Sequence, residues 1–301
     1  MSQPSLSPSR LATYATCPRL YDYRYGQEVN APDRTERYLT RGTIYHETIE
    51  ETCETTDSDD APEVIHERAM RIFDAKWAEH STPDDYASTA HQEYQRVENR
   101  AAIEAFFDPD GGDGIVHARR SVATECWVEC DVDGRSLHGK ADTVVRTDDG
   151  LHIFDYKRHT NGVLSSRTAE YLGNHLVGEA HEPKRVRNAF QTAAYIEGVK
   201  NEPFYEDWMG VRFSFYGLIN NSSFEGTPAG YEVSVRGWAR ETTEIYDEHY
   251  DTIWALIRAA HDGITGEAYE PEPFELINEE ACPACEYREM CTDRLSTEVR
   301  R

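Results

Sequence analysis

Apolar positions recur at helical spacing in the first third of the chain and at strand spacing in the middle. Ser7 followed by Pro8 supplies an N-cap and a proline at the first helical position, so LATYA reads as a helix that ends before Cys17-Pro18. A second helix is expected from about Thr43 to Glu54, with His46, Ile49, Glu50 and Cys53 on one stripe, and TTDSDDAP breaks it. Residues 62–80 and 86–107 read as two further amphipathic helices, closed by DPDGGDG. From Ser121 the period falls to two. Three strands are predicted over about 121–132, 135–146 and 151–157, joined by Asp133-Gly134 and by Thr147-Asp148-Asp149-Gly150, both hairpin signals. A helix near 187–200, strands near 210–219 and 230–236, and a long amphipathic helix from about Arg240 to His261 complete the order. No repeat or linker divides it, so residues 1–301 are expected to form a single α/β domain of α+β type around a sheet.

Composition narrows the class. Eighteen Tyr, ten Phe and five Trp supply more burial than a disordered acidic chain carries. No apolar run approaches the ~18 residues of a spanning helix, and the N-terminus lacks the basic-then-apolar layout of a signal peptide. A cytoplasmic protein is expected, with no membrane partner. Lys and Arg number 31 against 56 Asp and Glu, a net charge of −25, and only five of the basic residues are Lys. An acidic surface poor in Lys suits a halophilic cytosol. Net charge alone argues against nucleic acid. In molar salt, however, screening lengths fall to ~3 Å, and a nucleic-acid site would rely on Arg contacts, stacking and metal ions.

The strand LHIFDYKRH is apolar on both faces until Asp155 and Lys157, which share a face at period two. Charges on a buried strand are costly unless paired or bound to a metal. In the preceding strand, HGKADTVV places Asp142 in a similar setting, thirteen residues earlier. The short turn makes the two strands antiparallel neighbours, so the carboxylates can approach, and a divalent cation between them would relieve their repulsion. Oxygen ligands suit Mg²⁺ or Mn²⁺. An Asp–Lys ion pair on a hairpin is the plain alternative. His46 on its apolar stripe reads either as a hydrogen-bonded core residue or as a further ligand. Glu125, at the start of the first strand, either supports the ligands or joins them.

These residues together resemble the RecB-type branch of the PD-(D/E)XK nucleases: Gly42–His46 as G-x-x-x-H, then GKAD, FDYK, and Gln191–Tyr195 as Q-x-x-x-Y, in order along nearly the whole chain. The resemblance implies a restriction-endonuclease-like core, a central mixed sheet flanked by helices over about 115–240, with a helical insertion over about 55–110. It implies His46, Asp142, Asp155 and the Tyr156 main-chain carbonyl as metal ligands. Lys157 becomes the base or water-orienting cation, and Gln191 and Tyr195 the DNA-facing pair, otherwise a solvated helix face. Arg158, Arg167, Lys184, Arg185 and Arg187 flank the site as a basic patch or as solvated loop residues.

Seven cysteines in a cytoplasmic protein favour metal binding over disulfides. Cys282, Cys285 and Cys291 lack a fourth thiolate, and Cys17 is the candidate. The lone cysteine followed by a triplet is similar to the iron–sulfur subgroup that includes the AddB C-terminal domain and the CRISPR-associated RecB-like exonucleases. That resemblance implies a 4Fe-4S cluster joining the chain ends, residue 17 to about 278–295; the spacing alone also suits zinc. Cys53, Cys126 and Cys130 read as core. The expected function is a Mg²⁺- or Mn²⁺-dependent deoxyribonuclease trimming single strands or ends in repair, recombination or CRISPR adaptation. No G-x-x-x-x-G-K-[ST] is present, so unwinding would fall to a helicase partner. The competing classes are a non-catalytic nucleic-acid scaffold and a redox protein, and the latter leaves the carboxylates unused.

Overall fold

The computed structural model describes residues 5–31, 37–227 and 230–299. The chain opens with α1 (Pro8–Thr16) and α2 (Pro18–Tyr21), the latter running into a π-helical turn, Asp22–Gly26. Ser7 caps α1 as expected, its hydroxyl accepting from the Arg10 amide at 3.3 Å. Then come α3 (Arg37–Glu54), α4 (Pro62–His80), α5 (Thr89–Phe106) and α6 (Asp113–Arg120). The helix expected from residue 86 starts three residues later. Ser88 is its cap, accepting from the His91 amide at 3.1 Å, and Pro83–Asp85 form a separate 3-10 turn.

Five strands follow: β1 (Ser121–Val132), β2 (Arg135–Thr147), β3 (Gly150–Lys157), β4 (Gly210–Thr227) and β5 (Gly230–Glu241). Between β3 and β4 lie α7 (Glu170–Leu176) and α8 (Pro183–Val199), and the chain closes with α9 (Thr243–Glu248), α10 (Tyr250–Thr265), α11 (Phe274–Glu280) and α12 (Thr292–Val299). The order in the sheet is β1-β2-β3-β4-β5, with β3 and β4 parallel and every other pair antiparallel. This is a mixed α/β fold with a central five-stranded sheet between helices, as a restriction-endonuclease-like core requires. β4 and β5 are longer than the sequence suggested, because their outer halves form a largely exposed ribbon whose polar run Asn220–Ser223 hides the alternation. The single helix expected over Arg240–His261 is two. β5 runs on to Glu241, and the Thr243 hydroxyl accepts from the Phe213 amide at 2.9 Å, pinning the corner before α9.

Alternation along β3 assigns the two faces of the sheet. Leu151 and Ile153 join a core with Leu11, Phe190, Phe213 and Trp254, from α1, α8, β4 and α10. Phe154 and Tyr156 join a second core with Ile44, Phe73, Ile103 and Phe106, from α3 to α5. Each such buried side chain contributes roughly 1.5–3 kcal/mol.

Two irregularities shape the part of the sheet that carries the acidic residues. The β2–β3 ladder stops at Thr143–Phe154, and further along β2 is bridged instead by Leu6, so β2 and β3 splay into a fork. In β1 and β2 the two-residue alternation also slips. Ala123 and Cys126, and likewise Ala141 and Val144, face the same core although three residues apart. Glu125 sits at the slip with φ of 46°, in the left-handed region.

Side chains from opposite ends of the chain clasp each other. Arg19 Nε donates to Asp293 Oδ2 at 2.7 Å, Arg24 Nη2 to Glu286 Oε1 at 2.6 Å, and the Tyr287 hydroxyl to the Val29 carbonyl at 2.9 Å.

Candidate active site

The fork between β2 and β3 collects most of the charged residues that the sequence singles out. Asp142 is the residue of β2 next beyond the last paired position, and its Oδ2 accepts the Tyr156 amide at 2.7 Å in place of a ladder bond. From α3, His46 Nδ1 lies 3.4 Å from Asp142 Oδ2 and 3.7 Å from Glu125 Oε1. His46, Glu125 and Asp142 each offer a ligand atom within 4.8 Å of the others, the one such group among the described residues. The left-handed backbone of Glu125 turns its carboxylate into that group, where Lys140 also ion-pairs with it. A non-glycine residue at positive φ costs about 1–2 kcal/mol, and such strain concentrates at functional sites.

Asp155 stands beside this group rather than in it. It is 3% exposed, ion-paired to Lys157 Nζ at 2.6 Å and accepting from Gln191 Nε2 at 3.0 Å. The Lys157 ammonium meets Oδ1 of this carboxylate, and the Gln191 carbonyl oxygen is buried without a hydrogen-bond partner. Burial pushes the Asp155 carboxyl up to about 6, against the opposing pull of Lys157. Burial would push His46 down, but Asp142, Glu125 and Asp155 outweigh it and hold the imidazole at about 10. Lys157 is likewise resisted by burial yet raised by Asp155 and Asp142, so it stays an ammonium.

Gln191 and Tyr195 were expected to face a substrate. Both are nearly fully buried, at 8% and 7% exposure, because α8 packs tightly on the sheet. A Cβ on Gly139 would meet Tyr195 Cε1 at 2.5 Å, and one on Gly198 would meet Val128 at 2.8 Å. In this arrangement Gln191 orients Asp155 from beneath. Tyr156 points its ring to the opposite face, where its hydroxyl meets His117 Nδ1 at 2.8 Å.

Of the expected basic patch, Arg158 is paired with the buried Glu98 of α5, and Arg185 with Glu182. Glu98 was not foreseen. Nothing local in α5 marks it, because its role depends on the helical insertion folding across the ends of β3 and β4, where Ser222 also donates to it at 3.3 Å. The clustered acids and the imidazole fit a small divalent cation with oxygen-rich ligands, such as Mg²⁺ or Mn²⁺.

Cys17, Cys282, Cys285 and Cys291 are free thiols lining one cavity with Leu20, Tyr23 and Tyr287, at the clasp between the chain ends. Burial pushes the Cys17 thiol up to about 12, with Cys282 and Cys285 adding to the rise against two backbone amides. Among the described residues, no three of these sulfurs lie within 4.8 Å of one another. Zinc with four thiolates at 2.3 Å draws its sulfurs to about 3.8 Å, so the thiols share a cavity without being gathered into a tetrahedral site. What joins the ends in this structure is the set of Arg–carboxylate and tyrosine contacts rather than converging sulfurs. Cys53 and Cys130 are buried in the two cores, and Cys126 packs against one of them.

No helix is long and apolar enough to cross a membrane among the described residues. The sequence profile of the PD-(D/E)XK nuclease superfamily matches residues 5–292. No curated protein matches the chain.

Proposed function

Starting from the PD-(D/E)XK nuclease superfamily, to which this chain belongs, we propose that it is a Mg²⁺- or Mn²⁺-dependent deoxyribonuclease of the RecB-like branch, acting on single strands or DNA ends. Membership implies metal-dependent phosphodiester cleavage. The observation that carries the finer reading is the fork between β2 and β3, where His46, Glu125 and Asp142 converge beside the Asp155–Lys157 pair. His46, Asp142, Asp155 and the Tyr156 carbonyl would hold the cation, and Glu125 is near enough to join them. A bound divalent ion supplies an activated water and neutralises charge developing on the phosphoryl group.

The remaining work falls to this chain's side chains. Lys157, kept protonated by Asp155, is suited to orient the attacking water or to bind a non-bridging oxygen rather than to act as a base. Gln191 holds Asp155, and Tyr195 supports Gln191. The four cysteines are assigned to a structural 4Fe-4S cluster, which spreads its thiolates more widely than zinc does and so suits the shared but ungathered cavity. DNA is the partner, with a helicase or CRISPR adaptation proteins supplying the strand.

The test is cleavage of end-labelled single- and double-stranded DNA in concentrated KCl with Mg²⁺ or Mn²⁺, wild type beside Asp155→Ala. Metal-dependent cutting by wild type alone is expected, and the product ladder separates end trimming from internal cuts. Folded wild type that leaves both substrates intact would transfer the fold to the scaffold class.

A further inference from the structure

Arg187, Gln191 and Tyr195 lie four residues apart on α8 and therefore share one stripe. The Gln191–Asp155 hydrogen bond fixes the register of that stripe against β3. Because β3 and β4 are parallel and α8 crosses between them, α8 runs back along the direction of β3. One turn back from Gln191, about 6 Å, matches two residues forward from Asp155, about 6.6 Å, which arrives at Lys157. Arg187 and Lys157 accordingly repel each other, and Arg24 repels Arg187 from the π-helical turn.

The three cations are not equally satisfied. Lys157 has Asp155 at 2.6 Å and Arg24 has Glu286 at 2.6 Å. Arg187 is exposed, and the groups acting on it are Arg24 and Tyr25, with no carboxylate among the described residues. Elsewhere arginines find acids readily, as Arg158, Arg185, Arg212 and Arg258 do, in a chain with 56 acidic residues against 31 basic ones. A guanidinium held among like charges is stabilised by an anion, and its planar fork matches phosphate oxygens.

We propose that Arg187, with Lys157 and Arg24, forms a second phosphate subsite that takes the phosphodiester adjacent to the scissile one and so sets where along a strand the cut falls. This rests on the nuclease reading of the same site. The stripe on α8 then has two parts, Gln191 holding the carboxylate and Arg187 gripping the strand one helical turn away.

The experiment uses the full chain and short single-stranded oligonucleotides in which one phosphate at a time is replaced by an uncharged methylphosphonate. Affinity is measured with Ca²⁺ in place of Mg²⁺, and cleavage with Mg²⁺, for wild type, Arg187→Ala and Arg187→Lys. For wild type, neutralising one phosphate beside the cut is expected to weaken binding about 10- to 100-fold. Arg187→Ala should bind the unmodified strand as weakly and be indifferent to that replacement, with Arg187→Lys between them. An unchanged melting temperature shows that the variants fold. Arg187→Ala that stays as sensitive as wild type at every phosphate overturns the subsite, as does wild type that fails to bind the strand. Coupling in affinity without any cleavage would leave the subsite standing and remove the nuclease reading, and cleavage without coupling would do the reverse.

Discussion

Glu125 combines an unfavourable backbone with a carboxylate aimed at His46, and substitution separates the two effects. Glycine at φ of 46° removes the steric cost while alanine keeps it, so Glu125→Gly should be more stable than Glu125→Ala by about 1 kcal/mol. Both should lose Mn²⁺ affinity, and urea unfolding beside a metal titration checks the pair. Equal stabilities would mean that the local backbone relaxes in either variant. Gln191 touches no solvent-facing ligand but holds Asp155, so Gln191→Ala should lower cleavage by roughly 10- to 100-fold, the usual range for a residue that orients a metal-site carboxylate. Asp155→Ala should abolish it. A Gln191→Ala variant that cuts at the wild-type rate but binds DNA poorly would return Gln191 to the substrate-facing role the sequence suggested.

The packing of α8 on β1 and β2 depends on two glycines, and Gly139 bears directly on the site because Tyr195 occupies the space of its missing side chain. Gly139→Ala should destabilise the protein by about 1–3 kcal/mol, as overpacking does, and cleavage should fall as Tyr195 and Gln191 are displaced. Thermal melting with an activity assay measures both. Retained stability with full activity would show that α8 can ride outward without disturbing Asp155. The elements around this contact differ in how readily the sequence reveals them. β1, β2 and β3 were readable almost to the residue, since Asp-Gly and Asp-Asp-Gly turns mark where each gives way to the next. The outer half of β4 was not, because its polar run Asn220–Ser223 hides the alternation that marks a strand. At the site, His46, Asp142, Asp155 and Lys157 could be named because charge on apolar stripes is conspicuous. Glu125 stayed open between supporting the ligands and joining them, since its place depends on one dihedral angle at a strand slip, and the burial of Gln191 could not be derived, because it depends on two glycines in facing elements.

Across the whole molecule, the titrating groups make stability depend on pH in a stated direction. Burial holds His117 at about 3 and His152 and His175 at about 4, all below the ordinary value of 6.5. Each contributes stability that is present above pH 6.5 and is lost as pH falls through 6.5 towards 4, because the unfolded chain then binds protons that the folded one refuses. Asp155, held at about 6, and His46, held at about 10, act in the opposite sense but are two groups against three. The urea midpoint should therefore fall between pH 7.5 and pH 5, and a flat profile would show that these rings reach solvent. Replacing Cys285 by Ser should lower stability and remove the brown absorbance of an iron–sulfur protein; a colourless wild type that holds zinc would reassign the cavity. The clasp between the chain ends also has a consequence for biosynthesis. Arg19 meets Asp293 across 274 residues, and at about 5–20 residues per second a ribosome needs roughly 14–55 s to deliver the partner. The first helices emerge early and must wait, with Tyr23 and the Cys17 thiol uncovered, until the segment that carries the cysteine triplet and Asp293 appears. The closing step of folding therefore waits on the delivery of that segment, and the thiols of the triplet cannot meet Cys17 before it emerges.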